Sequence, residues 1–209
     1  MLLTWTGATR SAQAVTPGGP VIYDGEARFG FDVRMGTVVP VQLLDGPGLH
    51  LAVGGRTRIV GPLWLHLEGG VDRVAVSSLS ETVALTSGTA EVETTYARWS
   101  MPAFGGLGLH WRLGDEGQHT FGIMALGGGA WQYGRQDVSV RGDPGLRVRR
   151  DRWFEPLAQG RIQGGIGLDV GVLTLALGWR GTLAPVEDHV SRGVQADGIL
   201  LEAGWSSRF

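Results

Sequence analysis

From Ala27 onward, apolar and polar residues alternate with a period of two, the pattern of strands whose two faces meet different surroundings. Phe29, Phe31, Val33 and Met35 interleave with Arg28, Gly30, Asp32 and Arg34. Leu49, Leu51 and Val53 alternate with His50, Ala52 and Gly54, and a short link from Gly55 to Pro62 leads to Leu63, Leu65 and Leu67 set against Trp64, His66 and Glu68. A fourth strand is expected from about Thr95 to Leu113, with Trp99, Met101, Leu107, Leu109 and Trp111 opposed to Arg98, Ser100, His110 and Arg112. Pro102 with Gly105-Gly106 predicts a bulge or a local edge there. Further strands are expected over His119 to Tyr133, Trp153 to Val170, Leu173 to Arg180 and Gly198 to Phe209.

The connections sort by length. Ser77 to Glu93, Arg135 to Asp151 (with Asp143-Pro144-Gly145) and Leu183 to Asp197 are polar and read as long loops, whereas Gly114-Asp115-Glu116-Gly117 is a tight turn. Counted back from the C-terminus, long and short connections alternate, and the short ones share the end occupied by Phe209. About eight strands with this asymmetry predict an all-β fold, a single antiparallel up-and-down transmembrane β-barrel over residues 27–209. No apolar run approaches the roughly 20 residues a membrane helix needs, so strands are the remaining way to cross a bilayer. Glycine, at 36 of 209 residues, is far above the usual share.

In the last twelve residues, Ile199, Leu201, Ala203, Trp205 and Phe209 fall on one face, interrupted by Ser207. A terminal strand ending in an aromatic residue resembles the closing strand of small Gram-negative outer-membrane barrels of the OmpA-like and OmpW-like kind. That resemblance implies a place in the bacterial outer membrane, contact with lipid bilayer and lipopolysaccharide, and recognition of Phe209 by the barrel-assembly machinery. Residues 1–26 form an N-terminal extension, in which Ala12-Gln13-Ala14 reads as a signal-peptide remnant, against the alternative of a plain disordered N-terminus.

The two faces differ chemically. One carries Leu, Ile, Val, Phe, Trp and Ala; the other holds Arg28, Asp32, Arg34, Glu68, Asp72, Arg98, Arg112, Glu155, Arg161, Asp169, Arg180 and Glu202. The bore of an eight-stranded barrel is filled by side chains, so these acids and bases are expected to pair inside it. Aromatic residues divide by height: Phe29, Trp111, Phe121, Trp205 and Phe209 near the short turns, and Trp99, Trp131, Tyr133, Phe154 and Trp179 near the long loops, as two bilayer girdles would require. The opposite assignment, with the apolar face inside, would give a soluble lipocalin-like ligand carrier.

Chemistry is sparse. The formal charge of −2 implies no nucleic-acid surface, and the absence of cysteine removes thiolate zinc sites and thiol nucleophiles. His50, His66 and His110 share the inward face without a carboxylate or cysteine at ligand spacing, so they are read as members of the lumenal network, with no metal and no cofactor. Asp188-His189-Val190-Ser191 is similar to the His-x-Ser of the lipid A 3-O-deacylase barrels, which implies His189 as base, Ser191 as nucleophile and Glu202 as the orienting acid. Arg192 stands where that family has Asn, and Glu202 falls on the inward face. The preferred reading is a non-enzymatic barrel with a filled polar lumen and a structural, anchoring or surface-interaction role. The alternatives are the deacylase-like hydrolase and a narrow small-solute conduit.

Overall fold

A strand with one charged and one apolar face must divide two environments, and the computed structural model shows which face meets which. It describes residues 28–40, 47–85, 88–114, 118–141, 143–168, 171–183 and 198–207. The expectations for residues 1–26, Asp169, His189, Ser191 and Phe209 fall outside these residues. The strands are β1 (Phe29–Pro40), β2 (Gly48–Val60), β3 (Leu63–Leu85), β4 (Gly88–Leu113), β5 (His119–Val140), β6 (Asp143–Leu168), β7 (Gly171–Thr182) and β8 (Gly198–Ser206). Each pairs antiparallel with the next, and β8 returns to β1 with Val33 opposite Trp205, so the sheet of eight strands closes. Closure satisfies the backbone groups that an open edge would leave bare in hydrocarbon.

The apolar side chains point out. Phe31, Val33, Leu51, Leu67, Leu107, Ile123, Ile162, Leu175, Leu201 and Trp205 are exposed on the outer wall, while Asp32, Arg34, His50, Glu68, Arg161, Arg180 and Glu202 are buried in the bore. This polarity is the reverse of a lipocalin-like carrier and is that of a transmembrane barrel. Ser207, the polar residue that interrupts the outward series, seals the seam. Its hydroxyl accepts from the Phe31 N–H at 2.9 Å and donates to the Phe31 carbonyl at 3.1 Å.

Several expected boundaries are corrected. Ser77 to Glu93 and Arg135 to Asp151 are not loops: β3 and β4 pair as far as Leu85↔Gly88, and β5 and β6 as far as Val140↔Asp143. Asp143-Pro144-Gly145 therefore opens β6 and does not form a mid-loop turn. Both faces of these segments are polar because they stand in water on both sides, so they lack the alternation by which a strand is recognised from its sequence. Gly55 to Pro62 is likewise mostly strand, since β2 runs to Val60 and the turn lies at Gly61, whose φ of 50° is the left-handed conformation glycine tolerates. Around Pro102 the expectation of a bulge or a local edge is met in its second form: the β3–β4 ladder skips Gly70 and Val71, opposite Pro102 and Met101, while the register from Gly69↔Ala103 to Asp72↔Ser100 does not shift, so no bulge lies there. The irregularity instead lies between Val74 and Ser77.

The extensions make the barrel lopsided. The β2–β3 ladder ends at Leu49↔Arg73 and the β6–β7 ladder at Leu157↔Thr182. Among the described residues, β3 beyond Arg73 and β6 before Pro156, whose carbonyl still accepts from the Leu183 N–H at 2.9 Å, thus have a backbone partner on one side only. At about 3.3 Å per residue, a dozen such residues carry a four-stranded sheet, β3 to β6, roughly 40 Å along the strands beyond the closed barrel.

Close strand approach constrains one glycine and not its neighbour. A Cβ on Gly128 would meet the Ala103 carbonyl and lie 2.9 Å from Phe104 Cα, whereas one on Gly127 would meet nothing within 4 Å. Gly128→Val is expected to destabilise the barrel by about 1–3 kcal/mol, and Gly127→Ala to change it by less than about 0.5 kcal/mol. Urea unfolding in detergent micelles, followed by tryptophan fluorescence, tests the pair; equal effects would contradict the packing.

Candidate functional site

Register decides which charges meet. Asp72 lies opposite His50, and Glu202 opposite Gly36 and Ala176, while Arg161 faces Gly178 and Glu68 faces Gly54. Each long charged side chain thus has a small neighbour across the ladder and can reach over it toward the axis.

The result is a continuous network at mid-barrel. Arg34 reaches three carboxylates: Asp32, Glu68 at 2.6 Å and Glu202 at 3.2 Å. Arg161 donates to Glu68 at 2.6 Å and to Glu202 at 3.4 Å, bridging the same two acids from the far wall. His50 presents Nδ1 to Asp72 and has Nε2 3.0 Å from Glu202 Oε1, and Arg180 closes on Asp72. Gln159 joins the groups, its amide donating to Glu68 at 2.9 Å and its carbonyl accepting from Arg180 Nε at 3.2 Å. Burial of this many charges is tolerable only because they are multiply paired; a lone ion in the same bore would cost several kcal/mol.

Of the residues proposed for the lumen, the fold therefore brings together Asp32, Arg34, Glu68, Asp72, Arg161, Arg180 and Glu202. Glu155 is separate, accepting from Gln132 at 2.9 Å and from Thr182 at 2.6 Å nearer the outer end. Arg98 is buried and Arg112 half-buried. Arg28 departs from the expectation: it is exposed, because it precedes the first strand residue and lies at the rim. Exposure on the outer wall is 67% for Phe29, 45% for Trp99, 61% for Trp131, 54% for Trp179 and 39% for Trp205, while Trp111 and Tyr133 are half-exposed.

Below the network, His66 and His110 stack with ring centroids 4.8 Å apart and Nε2 atoms 2.9 Å apart, and Trp64 meets His110 edge-on. Among the described residues, no three histidine, aspartate or glutamate side chains are grouped to hold a metal ion. Above it lies an apolar plug that charge counting missed: Phe104, Met124, Leu126, Ala130 and Leu157 form one buried cluster, and Arg180 sits 5.2 Å over the Phe104 ring. Its signal was present in the parity of the strands, since these residues share the inward register with the charges. With both oxygens engaged by His50, Arg34 and Arg161, Glu202 belongs to the network, facing away from the lipid side where a deacylase site would lie.

No protein-family model matches the chain, and comparison with curated proteins gives no match. Solved structures do resemble it. Neisserial surface protein A superposes with a TM-score of 0.51 at 11% identity, over 89% of this chain and all of that one. The attachment invasion locus protein Ail of Yersinia pestis gives a TM-score of 0.36 at 9% identity over 85% of this chain and 95% of that one.

Because Arg34 and Arg161 share Glu68, Glu68→Ala would leave both guanidiniums short of a partner. A loss of about 3–5 kcal/mol is expected, against a much smaller one when Glu68 and Arg161 are replaced together by apolar residues of similar size. Folding titrations of the single and double variants in micelles check this, and additive losses would contradict the coupling. Closed ladder, outward apolar wall and structural likeness agree that the chain has the fold of the small, eight-stranded outer-membrane β-barrels.

Proposed function

We propose that this chain is an integral protein of the Gram-negative outer membrane, with a lumen closed by its own side chains, that holds a sheet above the bilayer for structural anchoring or surface interaction. The observation that carries this reading is the combination of a bore crossed from wall to wall by Arg34, Arg161, Glu68 and Glu202 with β3–β6 strands that outrun their neighbours. A conduit needs the first feature removed, and a bare membrane anchor has no use for the second.

The aromatic residues support the membrane placement. Trp111 stacks on Phe121, centroids 5.8 Å apart, near the β4–β5 turn, and Trp131 packs on Phe154 at 5.5 Å toward the opposite end. Two such bands are the girdles of a spanning barrel, sited at the two interfaces. The projecting sheet carries the exposed Arg135, Arg141, Arg147, Arg149, Arg150 and Arg152, groups suited to the phosphates of lipopolysaccharide. Arg135 donates to Asp137 at 2.9 Å, which holds that guanidinium above its ordinary pKa. Phe209 is the residue proposed to be read by the assembly machinery.

Two measurements test this. In planar bilayers the purified barrel is expected to give no steady conductance of porin size; open channels would refute the closed lumen. Because the chain contains no cysteine, single cysteines report topology cleanly. Arg141→Cys, at the tip of the projecting sheet, should react with an impermeant maleimide on intact cells, and Gln118→Cys, beside the β4–β5 turn, only after the outer membrane is opened. The reverse pattern would invert the assigned orientation.

A further inference from the structure

One row of outward side chains stands apart from the rest of the wall. The ladders align Arg73, Trp99, Tyr133 and Arg152 on four successive strands, with Arg73 opposite Trp99, Trp99 opposite Tyr133 and Tyr133 opposite Arg152. Each arginine lies over its aromatic neighbour, Arg73 at 5.3 Å from the Trp99 centroid and Arg152 at 5.6 Å from that of Tyr133. One step toward the membrane, the row becomes Met101, Trp131 and Phe154, and one step away it becomes Ala97, Arg135 and Arg150. The row therefore marks the height at which the wall changes from hydrocarbon-facing to water-facing.

A concavity of about 540 Å³ opens at the Trp99-to-Arg152 part of this row, lined by Val71, Trp99, Met101, Trp131, Tyr133 and Arg152 with Gln132, and Arg73 flanks Trp99 outside its lining. Beneath it the wall is smooth: Gly105, Gly127 and Ala158 are aligned, followed by Leu107, Ala125 and Gly160. A guanidinium held against a ring keeps its N–H edge free for an oxyanion, and the pairing strengthens where water is partly excluded. Three strand spacings, about 14 Å, separate the backbones of β3 and β6 that carry the two arginines, and each guanidinium lies over the ring of the adjacent strand between them. A headgroup with one phosphate reaches one of them; a wide headgroup with a phosphate at each end reaches both, with its acyl chains against Met101, Trp131 and the small residues below.

The geometry points to a dedicated seat for one molecule of the outer leaflet's bis-phosphorylated, multi-acyl glycolipid on the β3–β6 wall, with Arg73 and Arg152 holding its two phosphates and Trp99 and Tyr133 supporting them. This inference rests on the outer-membrane reading above and adds to it a defined site and stoichiometry.

The test uses the full chain refolded in nanodiscs of neutral lipid and titrated with bis-phosphorylated lipid A, monophosphorylated lipid A and phosphatidylglycerol, with bound lipid counted by native mass spectrometry. One bis-phosphorylated molecule per barrel is expected, with affinity falling about tenfold or more for the monophosphorylated form and for each of Arg73→Gln and Arg152→Gln. Arg58→Gln, on β2 at the short-turn end of the barrel and far from the row, should bind as the parent does. Heat-dependent gel mobility verifies that every variant remains folded. Equal binding of all three lipids, or binding unchanged by both row substitutions in folded protein, overturns the seat while leaving the barrel reading intact. Failure of the parent chain to insert into bilayers overturns both.

Discussion

A hydrogen-bonded sheet immersed in hydrocarbon can have no edge, and closure of β8 onto β1 is the constraint from which the rest of this structure follows. With eight strands the cylinder is narrow, and its bore must be packed with side chains as any protein interior is. The lumen is filled with paired charge and a small apolar plug, and the wall with Leu, Val, Ile, Phe and Trp. The familiar polarity of a soluble domain is inverted because the solvent is inverted.

Glycine abundance follows from the same geometry. Arg161 opposite Gly178, Glu68 opposite Gly54 and Arg34 opposite Gly204 show long side chains crossing the bore over neighbours without a Cβ. A Cβ on Gly204 would lie 2.7 Å from Arg34 Cγ, so replacement there would push directly on the network. Small residues cost strand propensity, and the barrel accepts that cost because its sheet closes and its buried charges are each paired with several partners. The same economy on the outer surface leaves the smooth wall beneath Trp131 and Phe154.

The charge network and the projecting sheet divide the molecule by height. At mid-barrel, carboxylates and guanidiniums are shared among several partners, so no single pair can open without leaving others short of a partner. Above it, pairs such as Arg141 with Glu91 at 2.7 Å are solvated and contribute little to stability. Stability is concentrated in the closed barrel, and the outer segment adds exposed, solvated side chains.

Period-two alternation and the spacing of turn residues determined the strand count, the fold class and which residues share a face, because burial in a sheet acts on every second side chain. Alternation vanishes where both faces meet water, and for that reason the strands of Ser77 to Glu93 and Arg135 to Asp151 read as loops. Only the tertiary structure decided which charges meet. Parity places Arg34, Glu68, Arg161 and Glu202 on one face, but the register between strands brings residues as many as 168 positions apart, Arg34 and Glu202, to one point on the axis. It likewise aligned Arg73, Trp99, Tyr133 and Arg152, since proximity across a sheet is set by strand stagger and closure, which no local pattern along the chain encodes.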